Sequence, residues 1–157
     1  MSEFFDEDYF YIVWTDGCCY DNGAGYPKAG YGVWWGHDHP LNSYGPFPKS
    51  HATNNRAELY AVYYAINQAI YNGIQYLQIR TDSTYVKNIF TDWIYDWEQN
   101  GWINYEGYPV KNQYMIREIK DLLDNYIDVE FVHIKRESEE GIKQADRMAK
   151  EGAKQYY

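Results

Sequence analysis

A chain of 157 residues that is 45% hydrophobic and 20% aromatic holds enough apolar material for one substantial core and is too aromatic for a disordered polymer. Its formal net charge of -9 argues against a broadly basic, polyanion-binding surface, so any phosphate contact must rest on locally arranged charge or on bound divalent cations. No run is long and apolar enough to span a bilayer. The opening stretch, residues 1–8, is an acidic tail, the wrong sign for a signal or transit peptide. Adjacent Cys18 and Cys19 lie too close for ordinary disulfide geometry and read as free thiols in or beside a strand. One intracellular domain is expected over residues 9–157, with no linker and no membrane association.

In chain order, Tyr9 to Trp14 reads as a buried first strand closed by the turn-like Asp16-Gly17. Ala29 to Gly36 and Leu41 to Phe47 read as second and third strands joined by hairpins. Thr53 or Asn54 caps a helix to about Asn72, where Val62, Ile66, Ala69 and Ile70 form an apolar stripe and Gly73 a stop. Gln75 to Arg80 forms a fourth strand, and Ser83 to Asn100 two short helices broken by Gly101. Met115, Ile119, Leu122 and Leu123 support another helix, Asp128 to Ile134 alternates as a half-buried strand, and Ile142 to Gln155 is a last helix. This order predicts an α/β fold, a five-stranded mixed sheet with helices on both faces.

On such a sheet, Asp16 and Asp82 fall at the carboxyl ends of two parallel neighbours and share one rim, with Glu58 in the first turns of the crossover helix. Strand ends this apolar make an unpaired charge costly, so converging carboxylates imply a cation. Hard divalent ions take carboxylate oxygens, and two of them can activate a water and stabilise a leaving oxygen across a phosphorus. Each residue also has a plainer reading. Asp16 forms a turn before Gly17, Glu58 favours a helix start, Asp82 caps the helix at Ser83, and Asp146 pairs with Lys150 one turn on.

Thr15-Asp16-Gly17, the Asn54-Asn55-Arg56-Ala57-Glu58-Leu59 segment, Thr81-Asp82-Ser83 and Ala145-Asp146-Arg147-Met148-Ala149, in this order and at these separations, resemble the type-one ribonuclease H family. The resemblance runs from about Tyr9 to Gln155 and takes in Gly30 to Gly36 and Trp93 to Trp102. It implies a ribonuclease H-like fold and an endonuclease that cuts the RNA strand of an RNA/DNA hybrid to 5′-phosphate and 3′-hydroxyl ends. It also implies that Asp16, Glu58, Asp82 and Asp146 hold two Mg²⁺ ions, or Mn²⁺. Asp16 would bridge both, Glu58 and Asp82 bind one, and Asp146 the other, with an activated water attacking in line.

By the same resemblance Asn22, Asn54 and Asn55 meet the RNA strand, where amides suit a 2′-hydroxyl that both donates and accepts. Thr53 and Asn112 hold a DNA phosphate, and Trp93 and Trp97, with Tyr85 nearby, line the DNA channel. Their plainer readings are a turn for Asn22, a helix cap for Asn54 and core packing for the tryptophans.

Two departures stand out. A family histidine that assists proton transfer or product release is missing from Lys135 to Gly141, where Glu137 lies nearest its place; His133 falls earlier, within the strand, as a partly buried polar residue. The tryptophan segment carries Asp92, Asp96, Glu98 and Glu106, with no Lys or Arg between Lys87 and Lys111. Weaker phosphate attraction follows, unless Lys135, Arg136 and Lys143 compensate. A monomer is expected, and tight attachment to a hybrid would need a tethering partner. A non-catalytic hybrid-binding module of the same fold, and a related nuclease with another nucleic-acid substrate, remain open alternatives.

Overall fold

The computed structural model describes residues 10–21 and 26–155; the acidic tail and Asn22 lie outside them. Strand β1 (Tyr11–Asp21) pairs antiparallel with β2 (Pro27–Trp34), and β2 in turn pairs antiparallel with β3 (Ser43–Pro46). On its other side β1 runs parallel to β4 (Tyr76–Thr81), which runs parallel to β5 (Asp128–His133). The sheet order is β3-β2-β1-β4-β5. Helix α1 (Asn54–Tyr71) makes the crossover from β3 to β4; α2 (Thr84–Asn88), α3 (Ile94–Asn100) and α4 (Gln113–Asn125) precede β5, and α5 (Glu140–Ala153) follows it. The expected mixed sheet with helices on both faces is therefore what forms. Among the described residues no helix is long and apolar enough to cross a membrane.

Strand alternation divides the core between the two faces. Val13, Val33, Leu77 and Ile79 point to one side and pack under α1, which buries Leu59, Val62 and Ile66 among Ala57, Ala61, Ala65 and Ala69. The small alanines let that helix lie close to the sheet. Burial of each large aliphatic side chain is worth about 1.5–3 kcal/mol. Ile12, Trp14 and Trp34 point the other way and meet Ile142, Ala145 and Met148 of α5.

The N-terminal end of α5 is tied to the sheet by a polar clamp. Arg80 donates from Nη1 to both oxygens of Glu139 at 3.0 and 3.1 Å, and its guanidinium stands 5.7 Å from the Trp14 ring centre. Trp14 Nε1 donates to the same Glu139 at 2.9 Å. Farther along, α5 rests directly on β2, because Gly32 presents no side chain to it.

Three expectations on element bounds need correction. The first strand does not end near Trp14 but continues to Asp21, since its antiparallel pairing with β2 outlasts its parallel pairing with β4. Cys18 and Cys19 thus sit within the strand as thiols not joined in a disulfide, and burial followed by the Asp16 charge pushes the Cys18 thiol up to about 11. The two short helices over 83–100 are joined by a wide π-helical turn, Ile89–Trp93, with no break between them. Phe90 in that turn stacks on Phe131 of β5 at 4.9 Å, which fixes its inner side. The last helix begins at Glu140 rather than Ile142 and ends at Ala153, because the clamp anchors its start.

A Cβ on Gly32 would stand 2.3 Å from the Ala145 carbonyl oxygen, so Gly32→Ala must lift α5 away from β2. Overpacking of this kind costs about 1–3 kcal/mol, and urea unfolding of the variant is expected to show a loss in that range.

Candidate metal and nucleic-acid site

Asp16 lies within β1 and is 4% exposed, which corrects the expectation that a turn at Asp16-Gly17 closes the first strand. The parallel register that pairs Trp14 with Arg80 brings Asp16, two residues on, level with Asp82 just beyond β4. Asp82 does not cap α2. Ser83 does so, its Oγ accepting from Val86 N–H at 3.1 Å, which leaves the Asp82 carboxylate facing its neighbours.

Glu58 enters from α1, which Thr53 starts by accepting a hydrogen bond from Arg56 N–H at 3.1 Å. The helix comes this close because residue 17 is glycine: a Cβ there would stand 2.4 Å from Glu58 N. Carboxylate oxygens of Asp16, Glu58 and Asp82 all lie within 4.8 Å of one another. Asp146, on α5, lies close enough for its charge to act on Asp16. Its pairing with Lys150 also forms, at 2.9 Å, so the plainer reading of Asp146 holds beside its proximity to Asp16.

Bringing these groups together without a cation is unfavourable, and their proton affinities record it. Burial, then the charges of Asp82 and Asp146, push the Asp16 carboxyl up to about 8, against the opposing N–H of Gly17 at 2.9 Å. Burial, then the charges of Asp16 and Asp82, hold the Glu58 carboxyl well above its ordinary value. Burial and Asp146 raise Asp82, while Arg136 and His133 pull it down. Glu58 Oε1 is sealed from solvent and has no hydrogen-bond partner. An all-oxygen donor set with a sealed, unpartnered carboxylate oxygen fits a hard divalent cation.

The expected nucleic-acid contacts fall into two groups. Thr53, Asn54 and Asn55 are exposed at the start of α1, beside Glu58 in sequence. Asn112 stands apart in sequence but joins them in space, accepting from Arg56 Nη1 at 3.3 Å and donating to the Tyr85 hydroxyl at 3.0 Å. Tyr85 and Trp93 meet edge to face at 6.3 Å, and Trp93 and Trp97 lie 6.0 Å apart. Trp93 is 36% exposed and Trp97 half-buried, so neither belongs wholly to the core.

Glu137 is exposed in the turn after β5, with a left-handed backbone at φ 62°, and is not brought into the Asp16-Glu58-Asp82 group. His133 is exposed rather than half-buried, its Nε2 lying 3.2 Å from the Asp82 carbonyl oxygen. Sequence reasoning overlooked Arg56, whose guanidinium links Asn112 to the Ser50 carbonyl and stands 5.5 Å from the centre of the Phe47 ring. The available signal was a cation in the first turn of a helix, where the dipole disfavours one.

The model of the family described as RNase H matches residues 8–154. The chain is 41% identical over 145 residues to Ribonuclease H1 of Rattus norvegicus, covering 92% of this chain and 50% of that protein. It is 36% identical over 144 residues to Ribonuclease H of Hyphomonas neptunium, with 89% of each covered. Among solved structures, the foamy viral protease-reverse transcriptase in complex with an RNA/DNA hybrid shares the fold. The TM-score is 0.73 at 24% identity, over 90% of this chain and 20% of that one. The chain therefore belongs to the ribonuclease H family, as a type-one catalytic domain with the ribonuclease H-like fold. It spans about half the length of the mammalian relatives it matches.

With Asp16 raised from 3.8 to about 8, the metal-free folded state binds more protons than the unfolded state between those values. Its contribution to stability is present in acid and is lost as pH rises through that window. Melts in a chelator should fall in Tm towards about pH 8, and added Mg²⁺ should recover more at the alkaline end than at the acid end. Asp16→Asn should flatten both responses; a metal-free Tm unaffected by that substitution at alkaline pH would overturn the assignment.

Proposed function

We propose that this chain is the catalytic domain of a divalent-metal-dependent endonuclease that hydrolyses the RNA strand of RNA/DNA hybrids, leaving 5′-phosphate and 3′-hydroxyl ends. The observation that carries the reading is the Asp16-Glu58-Asp82 group, with Glu58 Oε1 sealed and unpartnered and Asp146 beside it. Asp16 would serve both ions, Glu58 and Asp82 one of them, and Asp146 the other. When bound, two Mg²⁺ ions, or Mn²⁺ in their place, would supply the chemistry of activating a water and stabilising charge at the leaving oxygen.

The protein's own part is to orient the hybrid over that group. Asn54 and Asn55, with Asn22, read the ribose hydroxyls of the strand to be cut, because an amide answers both the donor and the acceptor of a 2′-OH. Thr53 and Asn112 hold a phosphate of the DNA strand, and the Arg56 charge beside Asn112 supports that contact at 3.3 Å. Tyr85, Trp93 and Trp97 offer flat apolar surface to the DNA strand. The domain acts as an intracellular monomer, and the acidic tryptophan segment makes its own grip on phosphate weak. In sequence, Glu137 lies nearest the place of the family histidine.

The test is a hybrid with a labelled RNA strand, incubated with Mg²⁺ and separately with Mn²⁺. Cleavage confined to the RNA strand is expected, and Asp16→Asn should lower the rate by about 10³-fold or more, roughly 4 kcal/mol of barrier, with the fold retained by circular dichroism. Binding without cleavage in both metals would point to a hybrid-binding module. Equal cutting of duplex DNA would point to a nuclease of other specificity.

Glu137→Ala and Glu137→His separate a working Glu137 from a decorative one. A rate loss in the alanine variant is expected if Glu137 has taken the histidine's role. A gain confined to the histidine variant would show that role to be vacant.

A further inference from the structure

Positive charge is unevenly placed along this chain. Residues 135–154 hold six of its 14 Lys and Arg side chains, whereas residues 88–110 hold none. Four of the six lie on α5, where Lys143, Arg147, Lys150 and Lys154 recur at intervals of four, three and four and so form one line along the helix. That line faces away from the sheet, since Ile142, Ala145, Ala149 and Ala153 are the side of α5 that is buried. At a rise of about 1.5 Å per residue it runs for about 16 Å.

Helix stability does not account for the line. The dipole favours Lys150 and Lys154 near the C-terminal end but disfavours Lys143, in the first turn. Lys143 with Arg147, and Lys150 with Lys154, are like charges four residues apart, which repel. Lys150 is neutralised by Asp146 at 2.9 Å. Among the described residues no ion pair reaches Lys143, Arg147 or Lys154, all of them exposed, and Arg147 donates to the neutral amide oxygen of Gln144. The position of Asp146 indicates what relieves this repulsion. It borders the line, three residues after Lys143 and four before Lys150, and its charge acts on Asp16. A phosphate strand lying at the carboxylate group can therefore continue along the cations, and with one phosphate per about 3.4 Å of duplex axis several fall within the line. A flat anionic lipid surface would also press on exposed Glu140 and Glu151, which flank it.

We propose that Lys143, Arg147 and Lys154 of α5 bind the phosphate backbone of a nucleic acid that lies over the carboxylate group, supplying from within the chain the phosphate contacts that residues 88–110 lack. That this nucleic acid is an RNA/DNA hybrid rests on the hybrid-cleaving reading; the stripe itself requires only a duplex backbone.

Fluorescence anisotropy of a labelled hybrid, titrated with the full chain in chelator over a series of salt concentrations, tests the stripe. Lys143→Gln, Arg147→Gln and Lys154→Gln together are expected to weaken binding about tenfold or more at about 0.1 M salt. They should also lower the slope of log Kd against log salt by about two, because each lost phosphate contact removes about 0.9. The Tm of this variant should not fall, since like charges are removed from one helix. Tyr71→Glu, Gln75→Glu and Tyr126→Glu, on exposed residues at the opposite end of the sheet, lower net charge equally and should leave the slope unaltered. An equal loss in this control would reduce the effect to net charge and overturn the proposal, as would an unchanged slope in the stripe variant. Anionic vesicles that bind through the same three residues, while hybrid binding is unaffected by them, would assign the stripe to a lipid surface instead. Cleavage of the hybrid by the unmodified chain in Mg²⁺ tests the parent reading separately. No cleavage, with stripe-dependent binding of duplex DNA, would remove that reading and keep the stripe.

Discussion

Mutual repulsion of carboxylates at the ends of two parallel strands is the constraint on which the rest of the structure turns. Two unit charges about 4 Å apart repel by about 4 kcal/mol at an effective dielectric near 20, and burial adds a desolvation cost. Asp16, Glu58 and Asp82 are held within 4.8 Å, with Asp146 alongside, so the frame must resist their separation until a cation offsets it. That frame is the sheet with a helix pressed on each face. A rim of this kind binds divalent ions well because its worst configuration is the empty one.

Each carboxylate depends on a different structural device. Asp16 and Asp82 are aligned by the parallel register of β1 and β4, and Ser83 releases Asp82 by capping α2 itself. Glu58 reaches the rim because Gly17 allows the α1 backbone to come within contact of β1. Asp146 depends on α5 lying against Gly32 and on the Arg80-Glu139-Trp14 clamp at the helix start. Geometry this distributed makes the group sensitive to residues remote from it: a shift of either helix separates the carboxylates without touching them.

The electrostatics divide the surface into unequal parts. At the start of α1, Arg56 stands close to Thr53 and Asn112, a local positive feature on a chain of net charge -9. The tryptophan segment beyond the π-helical turn keeps the aromatic faces but surrounds them with carboxylates. Aromatic stacking tolerates that change, since it depends on flat area, whereas attraction to phosphate does not. A nucleic acid held through this region would rest on shape more than on charge.

Much of the fold was legible because periodicity is a local property. The alternation of Asp128 to Ile134, the apolar stripe from Val62 to Ile70 and the order of elements already implied a mixed sheet with helices on both faces. Boundaries set by distant partners were not legible. Asp16-Gly17 has the local chemistry of a turn, yet β2 pairs with the chain through Asp21, and Gly17 serves a close approach instead of a bend. Nor could sequence separate the two readings of Asp146, because the Lys150 pair is local while its proximity to Asp16 belongs to packing. The link from Arg56 to Asn112 spans the chain from α1 to the start of α4; the first-turn cation marks Arg56 in the sequence, but nothing local names Asn112 as its partner. The sequence by itself determined which residues are candidates for the chemistry, since residue type and order reside in it. Only the tertiary structure decided which of them meet and at what depth, because burial and charge coupling arise between segments that are remote along the chain.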